Sequence, residues 1–224
     1  MSSRDVERVL PSFTHCTKHD IRQKREALEQ FAEQALRSYK SGSPLADHHL
    51  RLMQLNIINA FTKNAQALGF PFDWLICEAV SPFGRYGPDP AAMTTTSVSA
   101  PPSLAPTKMQ LKVKHHPWLD LLPLPLMRHN LLVAGAVLGA EVEERLHDEL
   151  FKDLIWSGEE RPEWTGLVVW GEPWNPQSWE MSESFAKKWA WLIYGCPEIL
   201  SSTNSWRSKR GEKPMAMPWL IEEL

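Results

Sequence analysis

The stretch LADHHLRLMQLNIINAFTKNAQALG, residues 45–69, decides the fold class. Apolar residues recur along it at helical spacing, and the glycine at its end is a typical helix stop. The residues that give the stretch its apolar faces are Leu45, Leu52, Leu55, Ile58, Ala60 and Phe61. The pattern predicts one long helix from about residue 45 to residue 68, as in a protein built mostly from helices.

Two further segments carry a helical pattern of comparable length. Residues 18–40 (KHDIRQKREALEQFAEQALRSYK) are amphipathic, with charges on the face opposite the apolar one. Residues 127–155 (MRHNLLVAGAVLGAEVEERLHDELFKDLI) predict one helix or two, with Gly135 or Gly139 marking the break. Both segments favour an all-helical core.

The remaining segments are shorter and less regular. Residues 179–194 predict a helix, with Ser182 or Ser184 near its start and Gly195 as its C-cap. The apolar run at 165–170 (TGLVVW) predicts a strand or a buried extended segment. MQLKVKHHPW at 109–118 predicts a short strand or an extended segment that ends at Pro117. Residues 201–204 (SSTN) predict the cap of a short turn. None of these segments changes the prediction of a mostly helical protein.

Residues 80–108 are rich in Pro, Ser, Thr and Gly and predict a long loop. Such a loop is either a lid over a site or a tolerated insertion, and the sequence leaves both open. We therefore predict a mostly α protein, a single helical domain with long irregular Pro-rich loops. Its N-terminal helical segment would span residues 1–40 and its globular domain residues 41–224.

Composition excludes several classes of protein. The net charge of −3 and pI of about 6.2 argue against nucleic-acid binding as the main task, because such proteins usually carry a basic face. Three cysteines without a CxxC pair indicate a reducing compartment and mostly structural thiols. We see no apolar signal sequence and no membrane-spanning run. The prediction is a cytoplasmic protein with no membrane or nucleic-acid partner.

Five of the eight histidines lie in three places where a metal could gather them. These are the pairs His48–His49 and His115–His116 and the single His129. Three imidazoles and one open position are a common arrangement for catalytic zinc. Adjacent side chains on a helix point about 100° apart, so one ion would take one member of the first pair. Such pairs also occur at surfaces and core edges without any metal.

Neighbouring residues could support such a site. Asp47 and Asp120 are candidates to orient an imidazole, although Asp47 could instead cap the second helix and Asp120 could be a structural acceptor. The proline after His116 should hold its backbone extended, which favours His116 over its neighbour. Glu141, Glu143 and Glu144 are expected on a solvated helix face.

Tryptophan is unusually frequent, with 11 residues, nine of them from Trp156 onward. They predict a large aromatic core or an aromatic-walled pocket in the C-terminal third. Trp118, which follows the second histidine pair, is the candidate to contact an aromatic substrate. The alternative for Trp118 is an anchor in the core.

Two longer blocks carry a family resemblance. They are HHPWLDLLPLPLMRHNLL at 115–132 and GLVVWGEPWNPQSWEMSESFAKKWAWLIYGCPEILSSTNSWRSKRGEKP at 166–214. They resemble the C-terminal domain of many fungal bZIP-type regulators, known mainly as a domain of unknown function, and the likeness runs from about residue 40 to residue 216. Residues 1–40 are short, and their eight Lys and Arg residues are interspersed with six Asp and Glu residues, unlike the continuous basic helix of such regulators, so DNA binding is not expected.

Departures from that family select the metal ligands. His49 stands where the family is expected to have leucine and His129 where it is expected to have aspartate, whereas His116 matches a common histidine. Two added histidines beside an ordinary one are what a gained metal site would look like. The resemblance thus implies His49, His116 and His129 as ligands, with His48 and His115 as alternates.

The combination resembles the fungal cyclopenases of quinolone alkaloid biosynthesis, which are zinc-dependent, hemocyanin-like and of similar length. This resemblance implies a lyase with Zn²⁺ as cofactor and a small aromatic alkaloid as substrate. The reaction would convert a benzodiazepinedione spiro-epoxide (cyclopenin or cyclopenol) into a quinolone (viridicatin or viridicatol) with loss of methyl isocyanate. Zinc would polarise one substrate oxygen.

Two other functions stay open at this point. The first is a non-catalytic regulator or partner-binding module that acts through dimerisation, which would make the protein a homo-oligomer. The second is a different chemistry, such as hydrolysis, on the same metal site. A module predicts no stoichiometric metal, whereas another enzyme predicts zinc but no quinolone.

Overall fold

The computed structural model describes residues 46–70, 79–86, 100–139, 141–147 and 166–217, together with Glu26, Gln30 and Arg37. These three single residues are helical and exposed; the rest of the helix predicted at 18–40 lies outside the described residues. The described part is mostly helical with a small sheet, so the predicted fold class is confirmed. Among the described residues, none of the helices has the length and apolarity to cross a membrane.

Helix α1 (Ala46–Ala67) confirms the first prediction. It ends as expected, because Gly69 adopts a φ of 67° and lets Phe70 return a backbone hydrogen bond to Ala65 at 2.8 Å. The following short helix α2 (Pro82–Tyr86) and a 3₁₀ turn at Pro102–Leu104 lie within the predicted loop at 80–108. Residues 87–99 of that loop lie outside the described residues.

The segment at 109–118 forms no strand: residues 108–113 make turns and a bend, and His116 keeps the predicted extended backbone, with φ −78° and ψ 144°. A 3₁₀ helix (Pro117–Leu121) follows. Helix α3 (Pro125–Leu138) begins with its proline in the first turn, where no amide hydrogen is needed. It ends at Gly139, whose φ is 95°, and α4 (Glu141–His147) begins directly afterwards. Gly139 is therefore the break.

The strands β1 (Leu167–Val169) and β2 (Trp179–Met181) form an antiparallel hairpin, with Val169 opposite Trp179. The strand prediction at 165–170 is confirmed, but the helix predicted at 179–194 is wrong at its start. Ser182 accepts a hydrogen bond from the Phe185 amide and so places the helix start after β2. The helical part is α5 (Glu183–Lys188) followed by α6 (Ala190–Ile193).

Side chains from two helices cover the outer edges of this hairpin. Asn56 of α1 donates to the Val169 carbonyl at 2.7 Å and accepts from the Val169 amide at 2.8 Å. On the other edge, Thr203 accepts from the Met181 amide at 3.1 Å and Ser202 donates to the Trp179 carbonyl at 2.6 Å. These contacts tie the hairpin into the helical core.

Ser202 and Thr203 belong to α7 (Pro197–Lys209), so the prediction that residues 201–204 cap a short turn is wrong. Their hydroxyls form hydrogen bonds with the backbone of β2 at the edge of the sheet and do not cap a helix. The core lies between α1, α3, the hairpin and α7, and it is closed by aromatic pairs such as Phe61 against Trp179, whose ring centroids are 5.9 Å apart.

Candidate metal and acid–base site

The imidazole of His115 is fully buried and contacts an oxygen atom at each ring nitrogen. Its Nδ1 lies 2.7 Å from the Val113 carbonyl oxygen, and its Nε2 lies 2.7 Å from Asp120 Oδ1. When Asp120 is ionised, both neighbours are acceptors and both ring nitrogens donate a proton to them. In that state His115 is a buried imidazolium paired with a buried carboxylate.

The pKa of His115 reflects two opposing influences. Burial, the largest of them, lowers the pKa, whereas the charge of Asp120 and the hydrogen bonds to Asp120 and Val113 raise it. The net effect raises the pKa above 6.5. The cation therefore persists to higher pH than in an exposed histidine.

Asp120 collects three donors. Besides His115, the Ser81 hydroxyl donates to Oδ2 at 2.5 Å, and the Gln110 side-chain amide donates to Oδ1. The Ser81 amide also donates to the His115 carbonyl at 2.8 Å. Asp120 thus contacts the imidazole of His115, and its predicted role beside a metal-bound imidazole stays a prediction.

Gly84 explains why α2 can lie so close to this network. A Cβ atom on Gly84 would lie 2.6 Å from the Val113 carbonyl oxygen and 3.2 Å from His115 Nδ1. Any side chain there would meet the backbone that holds the imidazolium. Residue 84 must therefore be a glycine, because α2 approaches the Val113 carbonyl too closely to leave room for a side chain.

Arg128 of α3 is also fully buried. Its Nη2 group donates to the carbonyls of Ser103 and Ala105, each at 2.9 Å, and its Nη1 group donates to those of Leu104 and Asp120 at 3.3 and 3.4 Å. Burial lowers the pKa of Arg128 to about 10, so it stays protonated at neutral pH. One guanidinium thereby fixes the Pro102–Leu104 turn beside the Asp120 segment.

His116, unlike its neighbour, contacts a glutamate. Its Nδ1 lies 2.8 Å from Glu143 Oε1, and its backbone amide donates to the same oxygen at 3.3 Å. Both residues are buried. The expectation that Glu143 lies on a solvated face is therefore wrong, whereas Glu141 of the same helix is exposed as expected.

The helical pattern of α4 contains a sign of this inward position that the sequence analysis missed. Val142 and Leu146, one turn apart, are buried, and Glu143 follows Val142 by one position, about 100° around the helix. It therefore lies at the border of the apolar face. Its partner His116 is 27 residues away in sequence, and no local pattern connects the two.

The other predicted ligands are distributed as follows. His129 is half-buried in α3. His48 and His49 belong to α1, as does Asp47, but their side chains lie outside the described residues. Within the described part of the chain, no three His, Cys, Asp or Glu side chains are grouped as a metal site requires. The ligand set therefore stays a prediction.

Trp118 is buried in the core, within the 3₁₀ helix that follows His116. This is the position of a core anchor, the alternative weighed for it. Its contact with a substrate stays a prediction. Among the described tryptophans, Trp170 and Trp191 are the exposed ones.

Comparison with known proteins identifies the family. Residues 88–200, just over half of the chain, match the family model described as Domain of unknown function (DUF3425). The chain belongs to this family, whose domain is found in fungal bZIP-type regulators. Searches of curated proteins and of solved structures found no match. The matched range contains His115, His116, Asp120 and Glu143.

Proposed function

We propose that this protein is a zinc-dependent lyase that converts a benzodiazepinedione epoxide, such as cyclopenin or cyclopenol, into a quinolone and methyl isocyanate. The observation that carries the proposal is the buried pair of His116 and Glu143, with 2.8 Å between Nδ1 and Oε1. Metal-binding imidazoles commonly donate their second ring N–H to a carboxylate, which fixes the tautomer and raises ligand basicity.

The donor chemistry of this pair suits zinc. When neutral His116 donates its Nδ1 proton to Glu143, the lone pair of the ring resides on Nε2, the atom that would bind the ion. Both ring nitrogens of His115 contact protein oxygens, so that imidazole would have to give up one of these contacts to bind an ion. The ligands proposed beside His116 are His129 and His49.

In this scheme zinc supplies a Lewis acid that stabilises negative charge on one substrate oxygen. Glu143 holds the His116 ring in one orientation and one tautomer, so the ligand needs no rearrangement during turnover. Burial of the pair keeps water from competing for these hydrogen bonds. The reaction needs no oxidant, because methyl isocyanate carries away the N-methyl amide unit and the quinolone keeps the remaining atoms.

Metal content tests the site without reference to activity. We expect about one zinc per chain in protein purified without chelator or metal resin, as for a catalytic site. Glu143→Gln should weaken zinc binding about 10- to 100-fold, and His116→Ala should abolish it. Glu141→Gln is the matched control, because it makes the same change on the exposed face of the same helix. Equal zinc affinity in both glutamine variants would contradict the proposal.

Turnover tests the substrate. The zinc-loaded protein should release a quinolone from cyclopenin, and His129→Ala should stop both zinc binding and turnover. Zinc without quinolone would indicate a different reaction on the same site.

The second candidate function is a non-catalytic partner-binding module. Membership of a family found in transcriptional regulators favours it. It predicts neither stoichiometric zinc nor turnover, so the elemental analysis separates it from the lyase. Membership of this family alone does not decide between the two functions, because proteins that share a fold can have many functions.

A further inference from the structure

Residues 213–217, the last that the structure describes, form a strap beside α7. The chain leaves this helix at Gly211, whose φ of 73° allows it to turn back. The Glu212 amide then donates to the Arg207 carbonyl at 3.0 Å. No helix or strand follows within the described residues. The strap is therefore joined to α7 through a tight glycine turn.

Side chains of α7 bind the backbone of the strap. Asn204 donates to the Met215 carbonyl at 3.0 Å and accepts from the Met215 amide at 2.6 Å. About one turn later in the helix, Arg207 Nε donates to the Lys213 carbonyl at 2.7 Å. Because the later helix residue binds the earlier strap residue, the strap runs antiparallel to α7. All three hydrogen bonds involve main-chain atoms of the strap, so they do not depend on which side chains the strap carries.

Burial alternates along the strap. Met215 and Met217 are each 6% exposed and belong to the core, whereas Lys213, Pro214 and Ala216 are exposed. This period of two is that of an extended segment with one face against the protein. The inward side chains are both methionines, which are flexible and adapt to irregular apolar surfaces. Backbone hydrogen bonds combined with alternate side-chain positions are a common way in which proteins recognise an extended peptide.

The strap differs from the hairpin, which a second asparagine holds in the same way. Asn56 also binds both main-chain groups of one residue, Val169, but Val169 is paired with Trp179 in the sheet as well. Within the described part of the chain, no backbone-to-backbone hydrogen bond joins residues 213–217 to another segment. The strap is held by side chains of α7 and by its own two methionines, so it can open without disrupting the sheet or a helix.

We propose that the surface beneath the strap is a peptide-binding site, which the strap occupies in place of a partner. The partner is an extended segment of another protein with two flexible apolar side chains, such as methionine, two residues apart. Asn204 binds the amide and carbonyl at the first of these side chains, and Arg207 binds the carbonyl two residues earlier. The partner replaces the contacts of the strap one for one, so the two exclude each other. The inference does not depend on the metal site.

Fluorescence polarisation with a labelled peptide KPMAMP, the sequence of residues 213–218, tests the proposal on the 224-residue chain. Met215→Asp combined with Met217→Asp should release the strap, because two carboxylates cannot be buried there without partners. This released variant should bind the peptide about 10- to 100-fold more tightly than the wild type, in which the strap competes at high effective concentration. Pro214→Asp combined with Ala216→Asp is the matched control. It adds the same two charges at exposed positions and should bind as weakly as the wild type.

A change in α7 tests the backbone contacts. Asn204→Ala, added to the released variant, should weaken peptide binding about 10-fold, because it removes both hydrogen bonds to one residue of the peptide. Ser205→Ala, at the exposed neighbouring position, should leave the affinity of the released variant unchanged. Equal affinities in these two backgrounds would overturn the proposal.

Hydrogen exchange of the wild type tests the opening of the strap without any variant. The Met215 amide should exchange through a local opening, faster than the Thr203 amide inside α7. Exchange of Met215 through global unfolding alone would overturn the proposal. So would a released variant that fails to fold or does not bind the peptide, and so would a wild type or exposed-position control that binds as tightly as the released variant.

Discussion

Nε2 of His115 lies 2.7 Å from Asp120 Oδ1, and neither side chain is exposed. Removing one partner of a buried ion pair leaves an uncompensated charge, which typically costs about 3–5 kcal/mol. Asp120→Asn should therefore lower the free energy of unfolding by about that amount, measured by urea denaturation. His115→Gln combined with Asp120→Asn should cost less than the sum of the single changes. Additive costs would show that the pair does not act as a unit.

The same pair predicts how stability depends on pH. The pKa of His115 is raised in the folded state, so its contribution is fully present below the unfolded pKa of about 6.5. That contribution is lost as pH rises through the folded pKa, with a slope of at most about 1.4 kcal/mol per pH unit. Unfolding curves measured from pH 6 upward should show this loss in the wild type. A His115→Gln variant with the same slope would contradict the assignment.

Gly84 and Gly135 should respond in opposite directions to alanine. Gly84→Ala places a methyl group against the Val113 carbonyl, and the clash should cost about 1–3 kcal/mol despite the better helix propensity of alanine. Gly135 lies inside α3 with nothing within 4 Å of the added Cβ, so Gly135→Ala should stabilise by about 0.5–1 kcal/mol. Thermal unfolding of the two variants checks both signs. A stabilised Gly84→Ala protein would refute the close packing of α2 on the His115 segment.

Cys196 should be chemically inert in the folded protein. Burial, with a smaller influence of Glu198, raises the pKa of its thiol to about 12, so almost no thiolate exists at pH 8. In a Cys16→Ser/Cys77→Ser background, iodoacetamide should label Cys196 after denaturation and leave it unlabelled in the folded state. Rapid labelling of the folded protein would show that this side chain is accessible.

Periodicity predicted the parts of the fold in which one face of a long segment is buried. Helix α1 is the clearest case, and Gly69 ends it as its sequence position suggests. The β2 strand escaped prediction because Trp179–Met181 lead directly into a helical segment, and the helical pattern was extended over them. What holds them extended is contact with Thr203 and Ser202, which lie more than twenty residues away. At Trp179–Met181, tertiary contacts therefore override the local preference for a helix.

At the candidate site, too, the sequence predicts only the local part of the arrangement. The sequence identifies two adjacent histidines, but it does not show that they have different partners. Asp120, which contacts His115, is only five residues away in sequence, and the sequence predicts it as a candidate partner of an imidazole. Glu143, which contacts His116, lies 27 residues later in α4, and only the packing of α4 against the His116 segment brings the two together. Long-range pairing decides which of the two imidazoles is structural.

The side chains on the hairpin have a consequence for solubility. A two-stranded sheet ordinarily presents two rows of unpaired amides and carbonyls that can recruit strands from other molecules. Here Asn56 occupies the amide and carbonyl of Val169 on one edge, while Ser202 and Thr203 occupy groups of Trp179 and Met181 on the other. A foreign strand would have to displace those hydrogen bonds before it could pair. The hairpin is thereby protected against edge-to-edge aggregation even though it is short and apolar.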